Sequence, residues 1–360
     1  MYNQNEKAII WLDMFDFLTY KKQETILALF EEPGQIFDKF ADCYDNLRET
    51  ITKEEFYKMV YALDSQFLNK YIVGLESKQI KVVTYVSKEY PQQMLDFYDK
   101  PFILYCKGDV SLLQSKCISI VGSRKPTRYG KEVTEKFSKA FATSGVTVVS
   151  GLADGVDAIA HSIALESNGK TIAVMGSGFN HIYPKTNFSL ERQIEQTGLV
   201  ITEYRPDVLP APWHYPIRNR IIAGLSSAVL ITEASSKSGA LYTRDYCIDY
   251  GIDLYAIPGE ITSFNSAGCN MILKSCQASL VTTPDDILEK LDVVNTYNPV
   301  VKNFQLTFEE QVVLNAINGE THFDEIQQAT KLDTKTLITL LTTMELSGII
   351  KKLAGNYYSK

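Results

Sequence analysis

Between residues 117 and 291 the apolar positions fall in short runs, and most runs end at glycine or at a basic residue. The run 117–121 leads into Gly122-Ser123-Arg124-Lys125, and 146–149 into Ser150-Gly151-Leu152-Ala153-Asp154-Gly155. The run 171–175 leads into Gly176-Ser177-Gly178, 228–231 into Thr232-Glu233-Ala234, and 252–257 into Pro258-Gly259-Glu260. Two further runs, 199–202 and 278–282, complete the series. Segments of helical spacing lie between them. A strand every 25–30 residues or so, alternating with helix, predicts repeated βα units. Such units build a parallel sheet and gather their loops on one edge. Glycines there let the backbone approach a ligand, and helix N-termini favour anions. With Arg and Lys added, this edge is expected to bind phosphate.

The flanks carry other patterns. Residues 1–78 show helical stripes, Trp11, Leu12, Phe15 and Leu18, then Ile26, Leu27, Leu29 and Phe30, divided by Glu32-Pro33-Gly34. They predict a small helical bundle packed on another part of the chain. Strand-like pieces at 80–85 and 102–106, separated by Tyr90-Pro91 and Lys100-Pro101, predict an extension of the sheet. Residues 294–304 have no clear period and read as a linker between a region 79–293 and a tail 305–360. The tail predicts three helices, 308–317, 323–329 and 335–346, with a cap at Thr321-His322. A turn at Ser347-Gly348 then leads into wing strands at 349–353 and Tyr357-Tyr358. This tail has seven acidic residues against five basic ones, and its third helix offers only Lys335. Protein contact is therefore expected of it rather than DNA contact.

Composition adds exclusions. No apolar run reaches the roughly 18 residues of a membrane span, and the N-terminus lacks a signal-peptide layout. Six cysteines without a CxxC pair are expected as reduced thiols of a cytoplasmic protein. Four histidines without ligand spacing predict no metal site. The net charge of −7 argues against nucleic acid, but its distribution does not. From residue 116 to 290 there are 17 Lys and Arg against 17 Asp and Glu, so the deficit lies in the flanks. Arg124, Lys125, Arg128, Lys185, Arg218, Arg220 and Lys237 fall in or beside the edge loops. Local charge sets a phosphate site.

Each motif has a functional and a structural reading. Neither Gly169-Lys170-Thr171 nor Gly122 to Lys131 completes a Walker A loop, and no G-x-G-x-x-G follows the first strand. Gly122-Ser123-Arg124 reads as a phosphate cradle, with Gly for clearance, the Ser hydroxyl and backbone N–H as donors and Arg as a bidentate grip. The alternative is an ordinary βα turn. In Ser150–His161, Asp154 or Asp157 can cap the following helix. Asp157 and His161 admit a catalytic pair, but the structural reading is favoured. Lys185 with Phe188 offers a cation beside an aromatic face, the pairing that follows a single strand. Core packing is the alternative for Phe188. Arg218 and Arg220 flank Asn219 and diverge on a helix. One is expected to reach ligand and the other a carboxylate such as Glu203 or Glu233. Ser235 to Ala240, with Ser238 and Gly239, opens another helix.

Taken together, these blocks resemble the DprA/Smf family of DNA-processing proteins. The likeness rests on Ile120-Val121-Gly122-Ser123-Arg124, the run 150–161, 173–178 with Tyr183-Pro184, 219–226, and 233–243. One departure is Ala240, where many members have Ser. The resemblance implies an extended Rossmann-like sheet, a helical SAM-like N-terminal domain and a winged-helix tail. It also implies a cytoplasmic homodimer that binds and protects single-stranded DNA and helps load RecA in natural transformation, without cofactor or catalytic turnover. DNA contacts carry over to Gly122, Ser123, Arg124, Lys185 and Phe188, with Arg218, Asn219, Arg220, Ser238 and Gly239 added from the loop analysis. The competing reading is a nucleotide-binding or nucleotide-base-cleaving enzyme of a related Rossmann-like fold. Pro258-Gly259-Glu260 only echoes the loop such enzymes carry.

Overall fold

Each apolar run of the central region forms a strand. In the computed structural model, which describes residues 2–296, 306–347 and 349–360, these are β3 (Cys117–Val121), β4 (Thr147–Ser150), β5 (Thr171–Val174), β6 (Leu199–Thr202), β7 (Ala228–Ile231), β8 (Asp253–Ala256) and β9 (Ser279–Leu280). They follow β1 (Lys81–Thr84) and β2 (Ile103–Gly108), the two pieces expected as an extension. The sheet order is β1-β2-β6-β5-β4-β3-β7-β8-β9. All pairs from β6 to β9 are parallel, whereas β2 pairs antiparallel with β6 and β1 with β2.

Strands covered on both faces read as continuous apolar runs, which is why they stand out in the sequence. Alternate residues serve opposite faces. Ile118 and Ile120 join Phe137, Phe141 and Ala160 from the helices Arg128–Thr143 and Val156–Glu166. Val121, Val229 and Ile231 join Ile221, Ile222 and Cys247 from the helices His214–Gly224 and Leu241–Tyr250 on the other side.

The sequence order runs one way from β3 through β4 and β5 to β6, and the other way from β7 to β8 and β9. β3 and β7 are neighbours, so the connections leaving them diverge and open a crevice at their carboxyl ends. That is where open α/β sheets take ligands.

The helical N-terminus shares one core with the sheet. Trp11, Phe40 and Phe56 pack in a cluster that continues into Val82, Ile103, Tyr105 and Val200. The hydroxyl of Tyr105 donates to Asp13 at 2.6 Å. The second expected stripe is cut short. The helix Tyr20–Leu27 ends before Leu29, which is exposed, while Ile26 is buried. The described residues cluster into two units, 1–297 and 298–360. Most of the expected linker, and Gly348 of the expected turn, lie outside the described residues.

The C-terminal unit is a winged helix. Helices Phe308–Ala316, Phe323–Thr330 and Thr334–Leu346 pack on Val313, Ile326, Leu337, Leu341 and Tyr358. Its three-stranded sheet has the order β10-β12-β11, with β10 Thr321–His322, β11 Lys351–Leu353 and β12 Tyr357–Ser359. His322 caps the second helix by accepting the N–H of Asp324. Among the described residues no helix is long and apolar enough to cross a membrane.

Candidate nucleic-acid interface

A cavity of about 870 Å³ opens in the crevice between β3 and β7. Its floor and walls include Gly122, Ser123, Arg124 and Lys125 after β3, and Ser235, Ser238 and Gly239 after β7. Arg218, Asn219 and Tyr215 enter from the helix His214–Gly224.

The loop after β3 is held from below by Glu233. The backbone N–H of Ser123 donates to the Glu233 carbonyl at 2.7 Å. The Glu233 carboxylate, itself buried, accepts the Thr127 N–H at 2.8 Å and the Thr127 hydroxyl. Thr127 caps the helix Arg128–Thr143, so this helix N-terminus already carries an anion. The general expectation that helix starts on this edge take ligand anions does not extend to this one. The Ser123 N–H is likewise engaged. The Ser123 hydroxyl accepts from the Lys125 N–H at 3.1 Å and keeps its own hydrogen for a ligand. Beside that hydroxyl, the side chains of Arg124 and Lys125 are both exposed.

Glycine has a different part here from the one expected. A Cβ at Gly122 would meet the Glu233 carbonyl and the Val156 side chain, both at 2.8 Å. The clearance serves packing under the loop. Gly155 has φ +80° and would drive a Cβ to 2.4 Å from the Ser123 carbonyl. It lets the loop after β4 pass against the back of the loop after β3, where the Val156 N–H reaches the same carbonyl at 3.1 Å.

Arg124 lies with its guanidinium carbon 5.7 Å from the Tyr215 ring centroid, a cation–π arrangement that aims the charge along the cavity wall. Among the described residues, no carboxylate pairs with Arg124, Lys125 or Lys185.

Arg218 and Arg220 diverge as their spacing predicts. Arg220 is buried, ion-paired to Glu203 and 3.7 Å from Asp99. It does not line the cavity, so its place among the phosphate contacts is corrected: its charge is spent inside the protein. Arg218 lines the cavity but is only 3% exposed. Nη1 donates to the carbonyls of Gly151 and Val174, and Nε donates to Asn219 Oδ1. Asn219 Nδ2 in turn reaches the Gly239 carbonyl at 3.4 Å. Both residues tie the end of β5 to the loops after β4 and β7.

Asp157 and His161 do not form a pair. Asp157 accepts from the N–H groups of Gly151 and Ala153. It reaches back to its own loop and does not cap the helix, whose N-cap is Gly155 without a side-chain bond. Asp154 accepts from the Thr186 hydroxyl at 2.8 Å. His161 is fully buried, with Nδ1 at 2.7 Å from Thr171 Oγ1. Burial, aided by the nearby Arg218 charge, pushes its pKa down to about 3.

Lys185 and Phe188 stand beside the cavity rather than in its wall, and both are exposed. Their segment is fastened to the loop after β4. Asn187 Nδ2 donates at 2.9 Å to the carbonyl of Leu152, a residue in the left-handed region at φ +56°. The ring of Phe188, half exposed, carries the Arg192 guanidinium at 5.5 Å.

Sequence reasoning missed Tyr183, Tyr215, Tyr242 and Phe264, which also line the cavity. Tyr215 precedes Arg218 by one helical turn, so both fall on one face, a spacing that could have flagged it. Phe264, an apolar residue in a polar loop, had no periodic context to flag it.

The fold and cavity define a Rossmann-like α/β protein with a cationic, aromatic-lined site at the switch point of its sheet. The family described as DNA recombination-mediator protein A matches residues 81–292, and the DprA winged helix domain matches 302–356. The chain belongs to this DprA/Smf family. Smf of Escherichia coli is 35% identical over 294 residues, covering 79% of this chain and 78% of that protein. DprA of Streptococcus pneumoniae is 36% identical over 237 residues, covering 66% and 82%. The solved structure of S. pneumoniae DprA covers 80% of this chain and 98% of its own, with a TM-score of 0.67 at 32% identity. That of Helicobacter pylori DprA, solved for its single-stranded DNA binding mode, covers 60% and 98%, with a TM-score of 0.55 at 31% identity.

Proposed function

We propose that this protein binds and protects single-stranded DNA at the cavity between β3 and β7, and that it promotes RecA loading in natural transformation or a related recombination route. The observation that carries the reading is the pair of exposed cations Arg124 and Lys125, without a carboxylate partner among the described residues, at a cavity with tyrosines in its wall. Phosphate needs the cations, and bases need the rings. Lys185 and Phe188 continue the same chemistry alongside. The H. pylori relative, described by its single-stranded DNA binding mode, supports the choice of ligand. The protein acts as a cytoplasmic homodimer and turns nothing over, in keeping with the scaffold roles of Asp157 and His161.

The test is fluorescence anisotropy of a labelled oligo-dT strand and a matching duplex at two salt concentrations. The expected result is salt-sensitive preference for the single strand, lost in Arg124→Ala/Lys185→Ala. Equal binding by variant and wild type would return the cavity to free nucleotides. RecA-dependent ATP hydrolysis on the coated strand, faster with the protein than without, tests the loading step.

A further inference from the structure

Three strands of the sheet lie between the two that carry the ends of this region. In the order β5-β4-β3-β7-β8, Lys185 and Phe188 follow β5, Arg124 and Lys125 follow β3 at the centre, Tyr242 follows β7 and Phe264 follows β8. Four inter-strand steps span about 19 Å. The central cations are therefore flanked by aromatic residues on both sides. On the far side from Phe188, Tyr242 is 53% and Phe264 70% exposed, although both border the cavity.

We infer that Tyr242 and Phe264 form a second base-stacking wall, which carries a single strand past the Arg124 loop toward β8. The inference rests on the single-strand reading of the cavity.

Three observations favour a nucleic-acid strand as the occupant of these rings. The first is continuity: Tyr242 and Phe264 line one cavity with Arg124 and Lys125. The second is charge. Lys237, exposed on the turn before Tyr242, joins Lys125 on this side, so phosphate and ring contacts alternate as a stacked strand requires. The third is support. Asn265, next to Phe264, donates to the Lys125 carbonyl at 3.3 Å. The base of the same loop is closed by Asn270, whose side chain accepts from the Gly259 N–H and donates to the Gly259 carbonyl. The phosphate loop and the Phe264 loop are thereby joined in one rim.

The experiment compares short and long labelled oligo-dT, about 6 and about 20 nucleotides within and beyond a single small site, on the full chain. Tyr242→Ala/Phe264→Ala is expected to weaken the long strand about 10-fold, and to weaken it more than the short strand. The salt slope stays as in wild type, because no phosphate contact is removed. Phe264→Tyr restores the long-strand affinity. Loss of affinity in Arg124→Ala/Lys185→Ala with none in Tyr242→Ala/Phe264→Ala overturns the second wall and leaves the cavity reading intact. No loss in either pair overturns both. A loss that follows a fall in oligomeric state by light scattering, and is not restored by Phe264→Tyr, assigns the rings to a protein interface and overturns the wall.

Discussion

Asp157 and Arg218 hold the same residue from its two ends. Asp157 Oδ2 accepts the Gly151 N–H at 3.1 Å, and Arg218 Nη1 donates to the Gly151 carbonyl at 2.6 Å. Both side chains are buried. Burial pushes the Asp157 carboxyl up and the Arg218 guanidinium down, and each charge opposes the shift of the other. Removing the guanidinium leaves the buried carbonyls of Gly151 and Val174 without their donor, at about 1–3 kcal/mol. Arg218→Met is therefore expected to lower unfolding free energy by about that amount in a urea titration. At temperatures where the variant is folded, the salt dependence of DNA binding is expected to match wild type. A shallower slope would return Arg218 to the phosphate contacts.

Arg124 and Lys185 should behave in the opposite way. Both are exposed and, among the described residues, have no carboxylate partner, so alanine at either position leaves stability within about 0.5 kcal/mol. Each substitution should reduce the log–log salt slope of single-strand binding by about 0.7. The loss should be equal for oligo-dT and mixed sequences, since phosphates carry no base identity. Sequence-selective loss would assign these side chains to base edges.

Glu233 offers a test by sign. It is an anion beneath a site for anions, so simple charge arithmetic has Glu233→Ala binding DNA more tightly. Its carboxylate bonds to the N–H and hydroxyl of Thr127 give the other outcome. Without the carboxylate the buried end of the loop loses its acceptor, at about 1–3 kcal/mol of stability, and Arg124 loses its fixed origin. Weaker DNA binding is expected. Tighter binding would reduce Glu233 to a charge.

His161 makes part of the acid sensitivity. Its folded pKa of about 3 lies below the unfolded value of roughly 6.5. The unfolded chain therefore takes up the proton first. The contribution is fully present above about pH 6.5 and is lost as pH falls toward 3, by at most about 1.4 kcal/mol per pH unit. Asp157, with its raised pKa, works the other way, so the quantity to read is the difference between wild type and His161→Phe. Urea midpoints measured from pH 7 to 4.5 should fall more steeply for wild type. Parallel curves would mean that the ring is protonated in the folded state.

The strands were legible because burial on both faces makes them uniformly apolar, whereas the switch point depends on β7 pairing with β3, which the chain order does not fix. The extension 80–106 was legible for the same reason. The site was legible in type rather than in detail. Arg220 looked like Arg124 in sequence, and only the arrival of Glu203 and Asp99 from distant segments turns it inward. The start of the helix at Thr127 is closed by Glu233, more than a hundred residues away in the chain. Tyr242 and Phe264 gave no periodic signal, because a loop ring acquires meaning from what stands opposite it.

The winged helix gives the last prediction. In a DNA-reading unit the second helix of the motif meets phosphates near its N-terminus and bases along its exposed face. Here the N-terminus of the helix Thr334–Leu346 is capped by Asp333, whose carboxylate takes the N–H groups of Lys335 and Thr336 and is held below its usual pKa by these bonds and that of the Thr336 hydroxyl. Its exposed face carries Ile338, 51% exposed, and Leu346, 85% exposed. Thr339, Thr342 and Thr343 on the same helix turn their hydroxyls back to backbone carbonyls four residues earlier. An anion at the helix start and apolar side chains along the face suit a protein partner. A chain ending at residue 296 is therefore expected to keep the single-strand affinity and salt slope of the full chain, measured by anisotropy, while losing function in cells. A marked fall in either quantity would give the tail a share in holding DNA.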